Sequence, residues 1–357
     1  MGKSTTLRDL VLTLILFGIL MFGVFLAERH LNAYLVRILN TACIYIVAAS
    51  AYNLVNGVTG QFSLGPNAFM AIGGYTVALL MLPLVQKKEV YFLQPLIWPL
   101  NTFSFPPSLF LLALFLGGLL AAFFAFLIGI PTLRLRGDYL AIATFGFGEI
   151  VIVLANNLIP LTNGALGIKG IPEYTNLWWT ANWAFWTVFV LKNLVNSSFG
   201  RALKAIKENE VAAEAMGVNL FHHKLLAFVL SGFFAGVAGG LFVTLISTVS
   251  PTLFTFSMTF NLLIIIVLGG LGSLTGSTVT AVLFAFLQEI LRDVEAPHKI
   301  GVWTFPGIPG MRMVVFSVIL VILMIFYRRG LFGRRELSWE GFVRLLQRGR
   351  ETCVRTE

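Results

Sequence analysis

Residues able to do chemistry are scarce in this chain, and they sort into a few groups. Of its four histidines, His222 and His223 are adjacent; on a helix their side chains point about 100° apart and do not chelate one ion together. No cysteine or further histidine is spaced to complete a zinc site, and no metal is expected. A Ser/His/Asp hydrolase would need a histidine among the apolar segments, whereas His30 and His298 are expected in loops. The glycine run GGLGSLTG at Gly269–Gly276 suggests a phosphate loop, yet no Lys-Ser or Lys-Thr follows it, so neither nucleotide nor another cofactor is expected. Cys43 sits in an apolar segment and Cys353 in a basic tail, which gives no disulfide framework. With no catalytic constellation, an enzyme is not expected. The remaining polar residues suit lining, packing and docking.

Glu149 is one of them. It lies eleven residues after Asp138 in the segment DYLAIATFGFGEIVIVLANN, which at about 1.5 Å per residue carries it to mid-membrane depth. A charge there costs roughly 2.5–3.5 kcal/mol, so Glu149 is expected to face the bundle interior, hydrogen-bonded or protonated. It then either serves function or ties helices together as a structural carboxylate. A second group lies in NGVTGQFSLGPNAFMAIGGY, Asn56–Tyr75, a stretch too rich in glycine, proline and amides for an ordinary span and read as broken or re-entrant. Irregular backbone at membrane depth must be buried in protein or face a water-filled cavity, because a free amide in hydrocarbon costs several kcal/mol. Gly57, Thr59, Gly60, Gln61, Ser63, Gly65 and Asn67 are therefore candidates, with Glu149, for lining a translocation path. Gly73 and Gly74 can instead permit close helix packing.

The third group is GRALKAIKENEVAAEAMGVN, Gly200–Asn219, polar and helix-prone among apolar segments. Ala202, Ala205, Ile206, Asn209, Ala212, Ala213 and Met216 recur at the spacing of one helix face, with Arg201, Lys204, Lys207, Glu208 and Glu214 elsewhere. Asn209 and Glu210 can split the helix in two, and Gly217 offers an end tolerant of positive φ. Such a small-residue stripe makes a docking knob; the plain alternative is an amphipathic helix lying on the bilayer.

These groups need a membrane scaffold to position them. With 57% hydrophobic and 11% charged residues and a mean hydropathy of +0.87, the chain is expected to be all-α, a polytopic transmembrane helical bundle. About ten spans are expected, some of them broken or re-entrant: 10–27, 33–55, a third ending near 85, 108–130, 138–158, a short span ending at Asn196, 225–249, two segments within 254–291, and 312–327. Basic residues cluster at Lys3 and Arg8, Arg134 and Arg136, 201–224 and 328–355, which the positive-inside rule places in the cytoplasm together with both termini. The formal charge of +9 is thereby accounted for without nucleic acid. Arg37 can snorkel to the outer interface, and Gly232, Gly236, Gly239 and Gly240 form a packing face. Residues 1–330 make the transmembrane domain. Residues 331–357 are read as a basic tail in which Trp339, Phe342, Val343 and Leu346 form an interfacial helix.

Several of these stretches carry a resemblance. Ala212, Ala213 and Gly217 in a cytoplasmic loop resemble the EAA coupling motif of ATP-binding-cassette importer permeases, with Val211 in place of the usual glutamate and Glu210 one position earlier. The pattern GxTGQxSLG with FMAIGGY, the block FGFGEIV and the loop NGALGIKGIPE resemble branched-chain amino-acid permeases of that class over roughly 53–291. Many family members carry an arginine three residues after the glutamate, where this chain has Ile152. The resemblance implies a bacterial-type inner-membrane permease subunit that moves branched-chain or other neutral amino acids by alternating access. It implies a second related permease, two ATPase subunits that hydrolyse ATP, and a soluble substrate-binding protein. Arg201, Glu208, Glu210, Ala212, Ala213 and Gly217 would then meet the ATPase, and 269–276 would be a second discontinuous region paired with 56–67. Urea or a short amide is the alternative cargo, and a self-sufficient secondary transporter or channel the alternative class.

Overall fold

The computed structural model describes residues 3–92, 94–295, 298–300, 303–305, 310–326, 330, 331 and 333. The tail residues Trp339, Phe342, Val343 and Leu346, and Cys353, lie outside them. Apolar runs long enough to bury their own backbone hydrogen bonds give helices α1 (Lys3–His30), α2 (Ala33–Asn53), α3 (Pro66–Met81), α4 (Leu84–Val90), α5 (Phe110–Thr132), α6 (Asp138–Asn157) and α7 (Ile159–Thr162). They continue with α8 (Leu177–Asn196), α9 (Ser198–Glu208), α10 (Glu210–Ala215), α11 (Leu220–Ile246), α12 (Phe256–Gly269), α13 (Leu274–Glu295) and α14 (Met311–Phe326). Two small antiparallel pairs accompany them: β1 (Ile168–Lys169) with β2 (Thr248–Val249), and β3 (His298–Ile300) with β4 (Trp303–Phe305). His30 thus closes α1 and His298 opens β3, where loops were expected.

Among the described residues seven helices are long and apolar enough to cross a membrane, or eight if α3 and α4, bent by 119° at Pro83, form one span. The bend follows from proline, which pushes Leu82 into an extended conformation and ends α3. Ten is reached by adding α8, whose 20 residues include four tryptophans and three asparagines, and α14, with 16 residues.

The bundle is organised around α11, which lies between α3 and α5. Close approach is possible because all three carry small residues where they meet. A Cβ on Gly73 of α3 would overlap the backbone of Gly236 of α11, and one on Gly239 would overlap the Met70 carbonyl. On the other side, a Cβ on Gly232 would come within 2.5 Å of that of Ala125 in α5. The glycine stripe of α11 is therefore a packing face on two sides, as its spacing suggested. Phe69 and Phe228 then fill the wider gap edge to face, with centroids 5.4 Å apart. Next to this sandwich, α2 is enclosed by α8, α11, α12 and α13, and its residues from Ile44 to Asn53 are all buried.

Two helices stay peripheral. α1 packs on α8 through Val24, Leu177 and Ala181, and its Glu28 accepts a 2.7 Å bond from the Trp178 indole. α6 packs on α3 and α5 by the face of Ala141, Thr144, Gly148, Ile152 and Ala155, leaving Ile142, Phe145, Ile150 and Val153 open. Lys87 in α4 is buried and donates to the Leu100 and Phe103 carbonyls at 2.8 Å each.

The α3–α11 seam yields a prediction. Gly239→Val drives a β-branched side chain into the Met70 backbone, an overpacking that costs about 1–3 kcal/mol or more. The purified protein in detergent should unfold at a clearly lower temperature, while Gly18→Val on α1, with open space around it, should leave the midpoint unchanged.

Candidate functional site

The break after α2 begins in the backbone. Asn53 is followed by a five-residue π-helical turn, Leu54–Val58, and then by irregular chain until Pro66 starts α3. Wide turns of this kind shift the register of the hydrogen bonds and free carbonyls. Here the Thr59 amide reaches Leu54 O and the Gln61 amide reaches Val55 O, both at 3.1 Å. Side chains satisfy much of the rest. Asn56 exchanges two 3.2 Å bonds with the Ser63 backbone, the Tyr52 hydroxyl donates to Ser63 O at 2.6 Å, and the Leu64 amide donates to Thr144 Oγ1 of α6 at 2.9 Å. Asn67 donates to Phe254 O at 3.0 Å. Gly65 lies against the Thr144 carbonyl and Gly148 against the Asn67 amide, so both mark close backbone approaches.

Thr59, Gln61, Ser63 and Asn67 are buried, whereas Gly60 and Phe62 are exposed. Both amide atoms of Gln61, and Oδ1 of Asn67, find no partner among the described residues. Buried amides left unpaired at a break are unusual, since most such groups are satisfied.

The second break, between α12 and α13, touches the first. Asn53 Oδ1 accepts from the Gly272 amide at 2.9 Å, and its Nδ2 donates to Ser273 O at 2.9 Å and to Ser277 Oγ at 2.8 Å. Gly57 is pressed so close that a Cβ there would overlap Asn53 Oδ1 and the Gly272 amide. The two discontinuous regions expected to pair are thus clamped by one buried asparagine.

The loop of residues 200–219 sits at the same end of the bundle. Ser197 caps α9, accepting from the Gly200 amide at 3.3 Å, and Leu203 and Ile206 turn inward. Asn209 is extended (φ −159°, ψ 111°) and caps α10, accepting from the Ala212 amide at 3.0 Å. The residue stripe is therefore not one continuous face: the cap rotates α10 relative to α9. α10 ends in a Schellman turn, with the Val218 amide on Ala213 O, the Gly217 amide on Glu214 O, and Gly217 at φ +84°.

This cap splits the expected docking residues. Ala213 is buried against the bundle, whereas Ala212, Gly217, Val211 (70% exposed) and Met216 (85%) point away. Glu210 turns inward as an anchor, with its carboxylate 2.5 Å from Lys224 Nζ of α11 and 3.6 Å from Arg136 Nε in the turn between α5 and α6. Arg201 and Glu208 are exposed on α9.

Glu149 corrects an expectation. It is half-buried at the edge of the open face of α6, with no ion pair among the described residues, and does not enter the core. The reason is angular. Thr144, Gly148 and Ile152 take the packed face, and the next residue after Gly148 stands about 100° further round.

Sequence reasoning passed over Asn53, Thr144, Ser273 and Ser277. Their signal is modest: polar residues inside or next to apolar segments, each near a glycine-rich interruption.

The long apolar helices make this a polytopic membrane bundle in which two helix breaks meet beside a capped polar loop. The chain matches the family described as branched-chain amino acid transport system, permease component, over residues 34–326. It is 33% identical to the high-affinity branched-chain amino acid transport system permease protein LivM of Escherichia coli K12, covering 83% of this chain and 69% of that protein. The protein of the same name from Salmonella typhimurium LT2 gives the same figures, and a probable branched-chain amino acid transport permease protein LivM of Methanocaldococcus jannaschii is 24% identical over 63% of this chain and 69% of its own. No solved structure matches. The chain belongs to the branched-chain amino-acid permease family of ATP-binding-cassette importers, and is a multi-pass inner-membrane transport subunit.

Asn53 is open to test. Asn53→Ala removes three bonds; it takes the Asn53 acceptor from the half-buried Gly272 amide, while the Ser277 hydroxyl keeps its 3.0 Å bond to Ser273 O, and one orphaned amide costs about 1–3 kcal/mol. The variant should melt several degrees lower than wild type in detergent; an unchanged midpoint would mean the clamp contributes nothing.

Proposed function

We propose that this permease forms half of a translocation path for branched-chain or other neutral amino acids, alternating between two states as ATP is hydrolysed on partner subunits. A second related permease, two ATPase subunits and a soluble substrate-binding protein complete the assembly. Both termini and the 200–219 loop lie on the cytoplasmic side, where the basic residues cluster. Residues 1–330 carry the transmembrane function, and 331–357 form a cytoplasmic tail.

The observation that carries this reading is α10. Its outer side offers Val211, Ala212 and Met216 to an absent partner, while Glu210 and the two caps hold its base rigid. Exposed apolar residues on a pinned knob are what a docking surface needs. Arg201, Glu208 and Gly217 flank it. On the transport side, Gly57, Thr59, Gly60, Gln61, Ser63, Gly65 and Asn67 line the break, and Glu149 borders the open face of α6, where a second permease would close the path.

Docking is tested by Val211→Asp with Met216→Asp, which put charge on the outer face and leave the anchors intact. Co-purification of the ATPase subunits should fall at least tenfold at unchanged membrane level. Retention of the ATPase with normal substrate-stimulated hydrolysis would remove this face of α10 as the docking surface, whereas uptake driven by an ion gradient without ATP would move the reading to a self-sufficient transporter.

Gln61 tests the path. Gln61→Leu replaces an unpaired buried amide by an apolar side chain of similar size, which is neutral or stabilising for folding. If the amide serves passing substrate, uptake of leucine, isoleucine or valine into proteoliposomes should drop several-fold while the melting temperature holds or rises. Wild-type uptake would remove Gln61 from the path.

A further inference from the structure

Lys207 is an ordinary residue in the sequence: a lysine in the last turn of a short amphipathic helix, where a cation complements the helix dipole. Its environment is not ordinary. The side chain leaves α9, runs into the bundle half-buried, and ends with Nζ donating to Gly57 O at 2.5 Å. That carbonyl is available because of the π-helical turn: the Gln61 amide, which would have bonded it in a regular helix, goes to Val55 O instead.

Glycines shape the space around the lysine. A Cβ on Gly60, which has φ +74°, would lie 2.9 Å from Lys207 Cγ, so only glycine lets the stem pass there. A Cβ on Gly272, at φ +96°, would lie 3.5 Å from Nζ and 3.0 Å from Gly57 O. The head group therefore sits in a notch made by Gly57 and Gly60 of the first break and Gly272 of the second. Asn53, at the end of α2, bonds the second break as well, accepting from the Gly272 amide. Left-handed glycines at two separate breaks, both open toward one lysine stem, make this a built contact.

We infer that Lys207 is the tie through which movement of α9 and α10 reaches both discontinuous regions at once. It is a positioning residue. It grips backbone, not side chain, and it grips the two breaks where they are already clamped together. A push on α10 passes through the rigid cap at Asn209 to the end of α9, and Lys207 lies two residues before that cap. A displacement there pulls on Gly57 O and shifts the turn that sets the direction of Thr59–Gly65. This deepens the proposed function and rests on the loop being the site where the ATPase docks.

The test uses the complete transporter, permeases with ATPases and binding protein, in proteoliposomes loaded with ATP. Lys207→Met keeps the stem and removes the donor. The expected result is co-elution of the ATPase subunits as in wild type, with about a tenfold fall in leucine taken up per ATP hydrolysed. Lys207→Arg, which can still donate to a carbonyl, should recover at least half of the lost ratio. Should Lys207→Met fold poorly, Lys207→Leu likewise removes the donor and is measured in the same way, with the same fall expected and a wild-type ratio again overturning the inference. A wild-type uptake-to-ATP ratio in Lys207→Met overturns the inference, and so does loss of ATPase co-elution, which would make the lysine a docking residue. The outer-face variant of Val211 and Met216 separates the two ideas. If it still binds the ATPase, the docking reading fails, and the tie fails with it; if it loses the ATPase while Lys207→Met keeps it, docking and transmission are distinct steps.

Discussion

An amide removed from water must find a hydrogen-bond partner, and in a bilayer it must find one within the protein. Everything distinctive in this molecule follows from how two helices break while meeting that requirement. The break after α2 is satisfied through Tyr52, Asn56, Thr59 and Thr144, and the break before α13 through Asn53 and Ser273. Tyr52 and Asn53 come from α2 and Thr144 from α6, so the irregular chain is held by the bundle and does not stand alone. What is left over is informative. Gln61, with both amide atoms unpaired among the described residues, lies beside exposed Gly60 and Phe62, so capacity for hydrogen bonding remains where the chain is least helical.

Rigidity and openness are distributed unevenly around that requirement. The α3–α11–α5 sandwich brings backbones together through glycine and alanine, and such contacts tolerate no added atom. By contrast, α6 shows an apolar side with a single half-buried carboxylate, Glu149, at its edge. The bundle thus has one locked side and one open apolar side.

Charge does a different job at the end that carries α9 and α10. Glu210 is drawn inward by Lys224 and Arg136, tying the knob to α11 and to the turn after α5. An inward carboxylate leaves the outer surface to Val211, Ala212 and Met216, so the polar residue of the motif sets position and the apolar ones are left for contact. Lys207 extends the same logic into the bundle by holding the backbone of the broken turn.

The sequence by itself determined the class of molecule, the location of both breaks, the split of the loop at Asn209 and the packing role of the α11 glycines. These properties are local: hydropathy, glycine spacing and capping chemistry act over a few residues and need no knowledge of neighbours. Only the tertiary structure decided which way side chains turn and which distant groups meet. Ala213 turns inward where an outward stripe was expected, and Glu210 where the resemblance implied contact with an ATPase, because an asparagine cap resets the rotation of a helix six residues long. Glu149 stops at the edge of α6 because Gly148 takes the packed face. Asn53 and Gly272, 219 positions apart, and Lys207 and Gly57, 150 apart, meet because the helices between them fold back. A pattern of period 3.6 specifies a face, but what that face touches depends on the whole bundle.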